Sequence, residues 1–163
     1  MQLGELKFSV LLFGLLQTLR VMARRHPAYA KRLAERNLTA QIRTADNKVA
    51  RHFTFRDGRV TSGRGIHPSA DITVTVQNAD LGVKLFSLHV DHLERIEAIK
   101  NFQLQAEGPD ELMVWFMQTL GMIFTLGWEY GTDLGDGVKR YVTNTNGGPL
   151  FVYVKDGKIL RIT

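Results

Sequence analysis

Apolar and polar residues alternate along several stretches of the chain, a period of two that is typical of strands with one buried face. The clearest stretches are 38–44, 49–56, 71–77 and 102–107. Asp46-Asn47 and Asp57-Gly58 are tight-turn dipeptides, and residues 59–62 follow the second turn as a short strand. The pattern predicts a meander of three strands followed by two further strands.

Before, between and after these strands the apolar positions recur at helical spacing. The sequence predicts helices over residues 3–25, 28–36, 78–87, 91–100 and about 110–126. Asn78 is a good N-cap, with Asp80 in the first turn behind it. The last helix is unusual because residues 112–117 are six apolar residues in a row. A helix that is apolar all round is buried on every side, or it covers a cavity, a partner or a lipid.

The character of the chain changes after the last helix, and this divides it into three predicted parts. Residues 1–126 form the main domain, and the glycine-rich residues 127–149 are expected to be an extended linker. Residues 150–163 are predicted to form a β-hairpin around the turn at Lys155-Asp156-Gly157-Lys158.

The first apolar run, Phe8 to Leu16, is too short to span a bilayer. It would suit a secretory signal with Val21-Met22-Ala23 as cleavage site, but Glu5 and Arg20 contradict that pattern. We therefore expect a core or interfacial helix, no transmembrane segment and a cytoplasmic protein. The signal peptide stays open as an alternative.

Composition excludes some classes of function and leaves others open. The 163 residues hold no cysteine, which excludes disulfides, thiolate metal sites and a cysteine nucleophile. Residues 1–65 carry a net charge of +9 and residues 66–163 a net charge of −4. A basic half suits an anionic membrane surface or nucleic acid. Because the basic residues are dispersed over amphipathic elements, we expect no nucleic-acid partner, whereas contact with a membrane surface stays open.

The sequence contains few residues in patterns that would support catalysis. His89 and His92 have the spacing of a metal-binding pair, but two ligands do not make a site and no third is fixed by spacing. His67 is near two serines, and no acid is placed to orient it. There is no phosphate-binding loop or dinucleotide fingerprint. We therefore predict no enzyme activity of its own, no metal and no cofactor.

The order of elements from Leu38 to Leu126 resembles the sterol carrier protein type 2 family. The resemblance lies in residues 70–87 (ADITVTVQNADLGVKLFS), 102–108 (FQLQAEG) and the apolar helix that follows. It implies an α+β fold, in which helices cover a curved, mostly antiparallel five-stranded sheet around an apolar tunnel for a sterol, fatty acyl chain or similar lipid. The tunnel-lining residues that it implies here are Leu81, Leu85, Phe86, Ile99, Phe102, Leu112, Trp115, Phe116, Leu120 and Ile123.

The C-terminal residues 146–162 are similar to the opening hairpin of molybdopterin-dependent oxidoreductase large subunits. Thr143 to Asn146 stand where many of those proteins have cysteines, so the resemblance implies no iron–sulfur cluster. Two hypotheses follow. The chain is a non-catalytic lipid-binding module, or it is an accessory domain with a filled core that docks onto a larger redox enzyme or a second copy.

Overall fold

The structure is a computed structural model, and it describes residues 2–87, 92–129, 132–145, 148–156 and 158–163. It divides into two compact units, residues 1–119 and residues 120–163. The last helix crosses the boundary between them. Each unit is described below by itself.

The first unit contains a five-stranded sheet in the order β3-β2-β1-β4-β5. Its strands are β1 (Leu38–Thr44), β2 (Ala50–Arg56), β3 (Arg59–Arg64), β4 (Ile72–Val76) and β5 (Leu104–Glu107). All neighbours are antiparallel except β1 and β4, which are parallel. The predicted α+β fold with a mostly antiparallel five-stranded sheet is confirmed.

The two faces of this sheet differ sharply in polarity, as the alternation predicts. The buried apolar side chains of one face include Ile42, Phe53, Phe55, Ile72, Val74 and Val76. The other face holds threonines and their partners. Gln41 Nε2 donates to Thr73 Oγ1 over 2.8 Å, and Arg43 Nε donates to Thr75 Oγ1 over 3.2 Å. The apolar face is therefore the one that helices have to cover.

The helices among the described residues are α1 (Leu3–Arg25), α2 (Pro27–Ala34), α3 (Ala79–Phe86), α4 (His92–Lys100) and α5 (Asp110–Glu129). In α1 the four buried residues are Phe8, Leu12, Leu16 and Leu19. Pro27 begins α2, where its missing N–H costs nothing. The Asn78 side chain accepts from the Leu81 amide over 2.9 Å, so the predicted N-cap of α3 is confirmed.

Helices α1 and α3 approach closely at a glycine. A methyl group at Gly82 would meet the Phe8 ring at 2.6 Å, so the ring packs directly on the α3 backbone. The Phe8 side chain is fully buried there, with the Phe86 ring centroid 6.0 Å from its own. No other residue type would leave the Phe8 ring in this position.

The strand predicted over residues 102–107 begins two residues later than expected. Phe102 has a φ of 55°, in the left-handed region, and its side chain is 78% exposed. The Gln103 amide donates to the Ala98 carbonyl over 2.8 Å, which closes the turn between α4 and β5. Because the backbone of Phe102 has the left-handed conformation of this turn, the residue cannot continue the alternating strand.

The second unit contains a four-stranded antiparallel sheet in the order β6-β7-β8-β9. Its strands are β6 (Thr132–Asp133), β7 (Val138–Thr145), β8 (Gly148–Lys155) and β9 (Lys158–Ile162). The predicted C-terminal hairpin corresponds to β8 and β9. The prediction of an extended linker over residues 127–149 is corrected, because strands β6 and β7 lie within these residues. Gly135 and Gly137, both at positive φ, form the tight turn between these strands.

The close approach at Gly82 yields a test with a matched control. Gly82→Ala forces the Phe8 ring to move and is expected to destabilise the fold by about 1–3 kcal/mol. Gly14, also inside a helix, has nothing within 4 Å of the position of a Cβ. Gly14→Ala is therefore expected to stabilise the protein by about 0.5–1 kcal/mol. Urea unfolding measures both changes, and equal effects would contradict the packing of Phe8 on α3.

Candidate functional site

The residues of the predicted lipid tunnel have different environments in the structure. Those buried in the first unit are Leu85, Trp115 and Phe116, each at most 4% exposed. The half-buried ones are Leu81, Phe86 and Leu112. Ile99 is 54% exposed and Phe102 is 78% exposed. Leu120 and Ile123 belong to the second unit and are half-buried. The tunnel stays a prediction, with its best-placed candidates on α3 and α5.

An aromatic cluster joins α5 to the apolar face of the sheet. The Phe55 ring centroid lies 5.4 Å from that of Trp115 and 6.1 Å from that of Phe116, both in edge-to-face arrangements. Phe55 and Phe116 are almost completely buried and Trp115 is 4% exposed. Edge-to-face pairs of this kind add to the stabilisation from buried area. The structure thus brings two of the predicted residues, Trp115 and Phe116, together against β2.

Arg32 of α2 holds the middle of α5 in place through several hydrogen bonds. Its Nε donates to Thr119 Oγ1 over 3.3 Å, and Nη2 donates to the Trp115 carbonyl over 3.3 Å and to Gln118 Oε1 over 2.8 Å. The guanidinium lies 5.4 Å from the centroid of the Trp115 ring, within the range of a cation–π contact. Sequence reasoning missed this role, because it treated the basic residues of this segment only as charges dispersed over amphipathic elements.

Two further polar groups in this region are buried. The Tyr29 hydroxyl donates to the Thr119 carbonyl over 3.1 Å, and burial raises the pKa of this tyrosine well above its usual value. The Trp115 indole Nε1 is buried too, but no described residue accepts a hydrogen bond from it. Leaving a buried donor unpaired costs about 1–3 kcal/mol. Native proteins rarely leave such a group unpaired, so the Trp115 N–H requires an explanation.

Two open grooves in the described part of the structure lie away from the predicted tunnel residues. One of about 570 Å³ is lined by Thr54, Arg56, Asp57, Arg59 and Thr61 of the β2–β3 hairpin. The other, about 340 Å³, lies in the second unit and is lined by Leu134, Gly135, Asp136, Val138, Tyr153, Leu160 and Arg161. Neither groove has the enclosed apolar lining that a lipid tunnel requires.

The histidines that the sequence singled out are placed as follows. The His67 and His52 rings make an edge contact with centroids 5.0 Å apart, and the His67 amide donates to Gln41 Oε1 over 3.0 Å. The hydrogen bond from the His67 amide therefore holds this loop against the polar face of the sheet. His89 lies outside the described residues, and the His92 side chain is not described. Within the described part of the chain no three His, Asp or Glu side chains form a metal-binding cluster.

Helix α1 has a second row of apolar residues, which is partly exposed to solvent. Leu3, Leu6, Val10 and Phe13 are 44–67% exposed and recur at spacings of three and four residues. By length and composition alone α1 would also cross a membrane, and 22% of its most apolar 18-residue window is buried. Core helices and signal sequences share this composition. The exposed stripe is nonetheless unusual for a helix that also packs on a sheet.

Comparisons with known proteins find likenesses among solved structures. No family model matches the chain, and no curated protein matches it. One likeness is to UbiJ-SCP2, a ubiquinone synthesis protein, at 18% identity and a TM-score of 0.48 over 68% of this chain and 88% of that one. Another is to a conserved hypothetical protein of Thermus thermophilus described as a candidate sterol carrier, at 14% identity and a TM-score of 0.45. It covers 76% of this chain and 91% of that one.

A third likeness is to the alkylsulfatase Pisa1 from Pseudomonas sp., at 22% identity and a TM-score of 0.41. It covers 56% of this chain and only 14% of the sulfatase, so the chain spans a small part of that enzyme. Two of these solved structures carry the name of the sterol carrier proteins, the family that the sequence resembles. The similarity of the C-terminal hairpin to molybdopterin enzymes stays a prediction.

The role of Arg32 in fixing α5 can be tested against a neighbouring arginine. Arg32→Met keeps much of the side-chain volume but removes the hydrogen bonds to α5. It is expected to destabilise the protein by about 1–3 kcal/mol. Among the described residues Arg36 contacts Glu111 alone, in an exposed ion pair, so Arg36→Met is expected to cost less than about 1 kcal/mol. Chemical denaturation followed by tryptophan fluorescence compares them, and a loss for Arg36→Met as large as that for Arg32→Met would contradict this assignment.

Proposed function

We propose that the chain is a non-catalytic module that binds a hydrophobic small molecule, such as a sterol or a fatty acyl chain, between α5, α3 and the apolar face of the sheet. The observation that carries the proposal is the buried N–H of Trp115, which has no acceptor among the described residues. The Trp115 ring packs edge-to-face against Phe55, and the Arg32 guanidinium lies over it. A bound molecule that is mostly apolar but carries a hydroxyl or carbonyl oxygen would supply the missing acceptor.

The apolar character of α5 supports the same proposal. Val114 and Met117 of this helix remain 55% and 56% exposed, while Trp115 and Phe116 between them are buried. Leu112, Leu81 and Phe86 are half-buried, so they combine accessible apolar surface with positions next to the core. Ligand sites in proteins are lined mainly by such apolar side chains with a few polar groups among them.

A pair of substitutions on α5 tests this proposal. Leu112 and Val114 are two residues apart and therefore project from different faces of the helix. Leu112→Gln places a polar group in the proposed site and is expected to weaken binding of a fluorescent fatty acid about tenfold, since it removes apolar contact with the ligand. Val114→Gln, at an exposed position, is expected to leave binding unchanged.

Fluorescence titration measures both affinities, and thermal unfolding verifies that both variants are folded. Native mass spectrometry of the purified protein, followed by lipid extraction, adds an independent readout. The proposal is overturned if the parent protein neither carries a lipid after purification nor takes up fluorescent fatty acids or sterols.

We propose further that α1 brings the module to an anionic membrane surface. Its exposed apolar stripe is accompanied by Lys7, Arg20, Arg24 and Arg25, and its single acidic residue, Glu5, already contacts Lys48 at 3.6 Å. Positive charge beside an apolar helix face complements anionic headgroups above a hydrocarbon layer. A lipid-binding module gains from such contact because its ligand comes from a membrane.

The double variant Leu6→Gln/Val10→Gln is expected to bind vesicles of equal parts phosphatidylserine and phosphatidylcholine at least about tenfold more weakly, because both side chains lose their apolar insertion. The control Ile159→Gln/Leu160→Gln changes two other exposed apolar residues and should bind like the parent. Co-sedimentation measures the bound fraction at low and high salt, and salt should weaken binding by screening the charges. Equal binding by the two variants would contradict a role for α1.

A further inference from the structure

Arg51 is a positively charged residue on the apolar face of the sheet. It lies on β2 between Val49 and Phe53, on the apolar face, and is only 6% exposed. The other arginines of the described β1–β3 strands lie in half-buried or exposed positions. A buried charge is costly unless an opposite charge or several hydrogen bonds compensate it.

The partners of Arg51 do not neutralise it. Its Nη1 donates to Ser62 Oγ over 2.8 Å, and its guanidinium lies 5.5 Å from the centroid of the Phe13 ring. No carboxylate of the described residues forms an ion pair with it. Ser62 and Phe13 together use only part of a guanidinium, which has five N–H donors.

A second arginine makes the local charge larger still. Arg64 on β3 is directly opposite Arg51 in the antiparallel register. Like charges directly across two strands destabilise a sheet. Burial and then the neighbouring charge of Arg64 lower the pKa of the Arg51 guanidinium, although an arginine keeps its charge at neutral pH. Arg51, Arg64 and the Ser62 hydroxyl thus lie close together, and no carboxylate among the described residues neutralises their charge.

One of the side chains that cover Arg51 is itself partly exposed. Phe13, whose ring lies over Arg51, is 49% exposed and belongs to the apolar stripe of α1. Along β2 the apolar face continues from Arg51 through Phe53 to Phe55, which contacts Trp115. Residues 51 and 55 are about 13 Å apart at the usual rise of a strand. The guanidinium and hydroxyl groups that could bind an anion therefore lie next to apolar side chains, Phe13 above Arg51 and Phe53 along β2.

We infer that Arg51, Ser62 and Arg64 bind the carboxylate or phosphate group of an anionic amphiphile, with its apolar part beside Phe13. This inference rests on the proposed function, and it adds the chemical class of the ligand. A planar guanidinium binds two oxygens of such a group at once, which a neutral head group cannot match.

The experiment compares ligands with one chain and different head groups. Dodecanoate, dodecyl phosphate and dodecanol are titrated into the protein below their micelle concentrations, with inorganic phosphate alone as a fourth ligand. The parent is expected to bind both anionic amphiphiles at least about tenfold more tightly than dodecanol. Arg51→Met is expected to lose this preference while binding dodecanol as the parent does, because only the head-group contact is removed.

Arg43→Met is the matched control, since Arg43 is an arginine on the opposite, polar face of the same sheet. It should keep the preference for anionic ligands. Arg51→Met should fold at least as stably as the parent, because an uncompensated buried charge is replaced by an apolar chain of similar volume. If Arg51→Met does not fold, Arg64→Met is tested in its place, because Arg64 is exposed. This variant is expected to reduce the preference for anionic amphiphiles over dodecanol about threefold.

The outcomes separate the two proposals. Failure of the parent to bind any of the amphiphiles overturns this inference, and it overturns the proposed function as well if the parent also carries no lipid and takes up no fluorescent fatty acid or sterol. Binding of all three with equal affinity, or an unchanged preference in both Arg51→Met and Arg64→Met, overturns only this inference. Inorganic phosphate binding as tightly as dodecyl phosphate would overturn the amphiphile as the ligand and leave a free anion in its place. Vesicles with and without phosphatidylserine show in addition whether membrane lipids supply the head group.

Discussion

The first unit depends on one constraint, which is that the sheet has one polar and one apolar face. On β2 the side chains of Phe53 and Phe55 are completely buried, and the chain can reach that state only if helices cover the face. Helix α1 does so through Phe8, Leu12, Leu16 and Leu19, and α5 does so through Trp115 and Phe116. On the opposite face Gln41 and Arg43 pair with threonine hydroxyls, so this face does not require apolar cover. The positions of helices, aromatic cluster and candidate site all follow from this asymmetry.

Much of this arrangement could be predicted from the sequence because it depends on local periodicity. The alternation in residues 38–44 and 49–56 determines which side chains are buried, and the Asp57-Gly58 turn determines that β2 and β3 pair. The cap at Asn78 and the start of the last helix at Asp110 are equally local. In each case a few neighbouring residues contain all of the physical information, and no distant part of the chain overrides it.

The features that the sequence did not predict depend on partners far away in the chain. Arg32 resembles any solvated helix arginine until Trp115, Gln118 and Thr119 are known to lie beside it. Alternation alone puts Arg51 on the same face as Phe53 and Phe55, but only the structure shows that its partners there are Ser62 and Phe13. Glycines in 127–149 indicated a linker, yet Gly135 and Gly137 lie in a turn and the residues around them form strands. Composition alone does not distinguish these cases.

Trp115 and Arg51 present the same physical problem at two places on one apolar face. Each places a hydrogen-bond donor where water is scarce, and in neither case do the described residues supply a full set of acceptors. A protein under selection for stability alone would replace both with apolar residues, because buried polar groups without partners cost more than they contribute. The donors differ in charge, so they would select different atoms, a neutral oxygen at Trp115 and an anionic group at Arg51. The proposed ligand, with an apolar body and oxygen atoms, carries groups that could serve both donors.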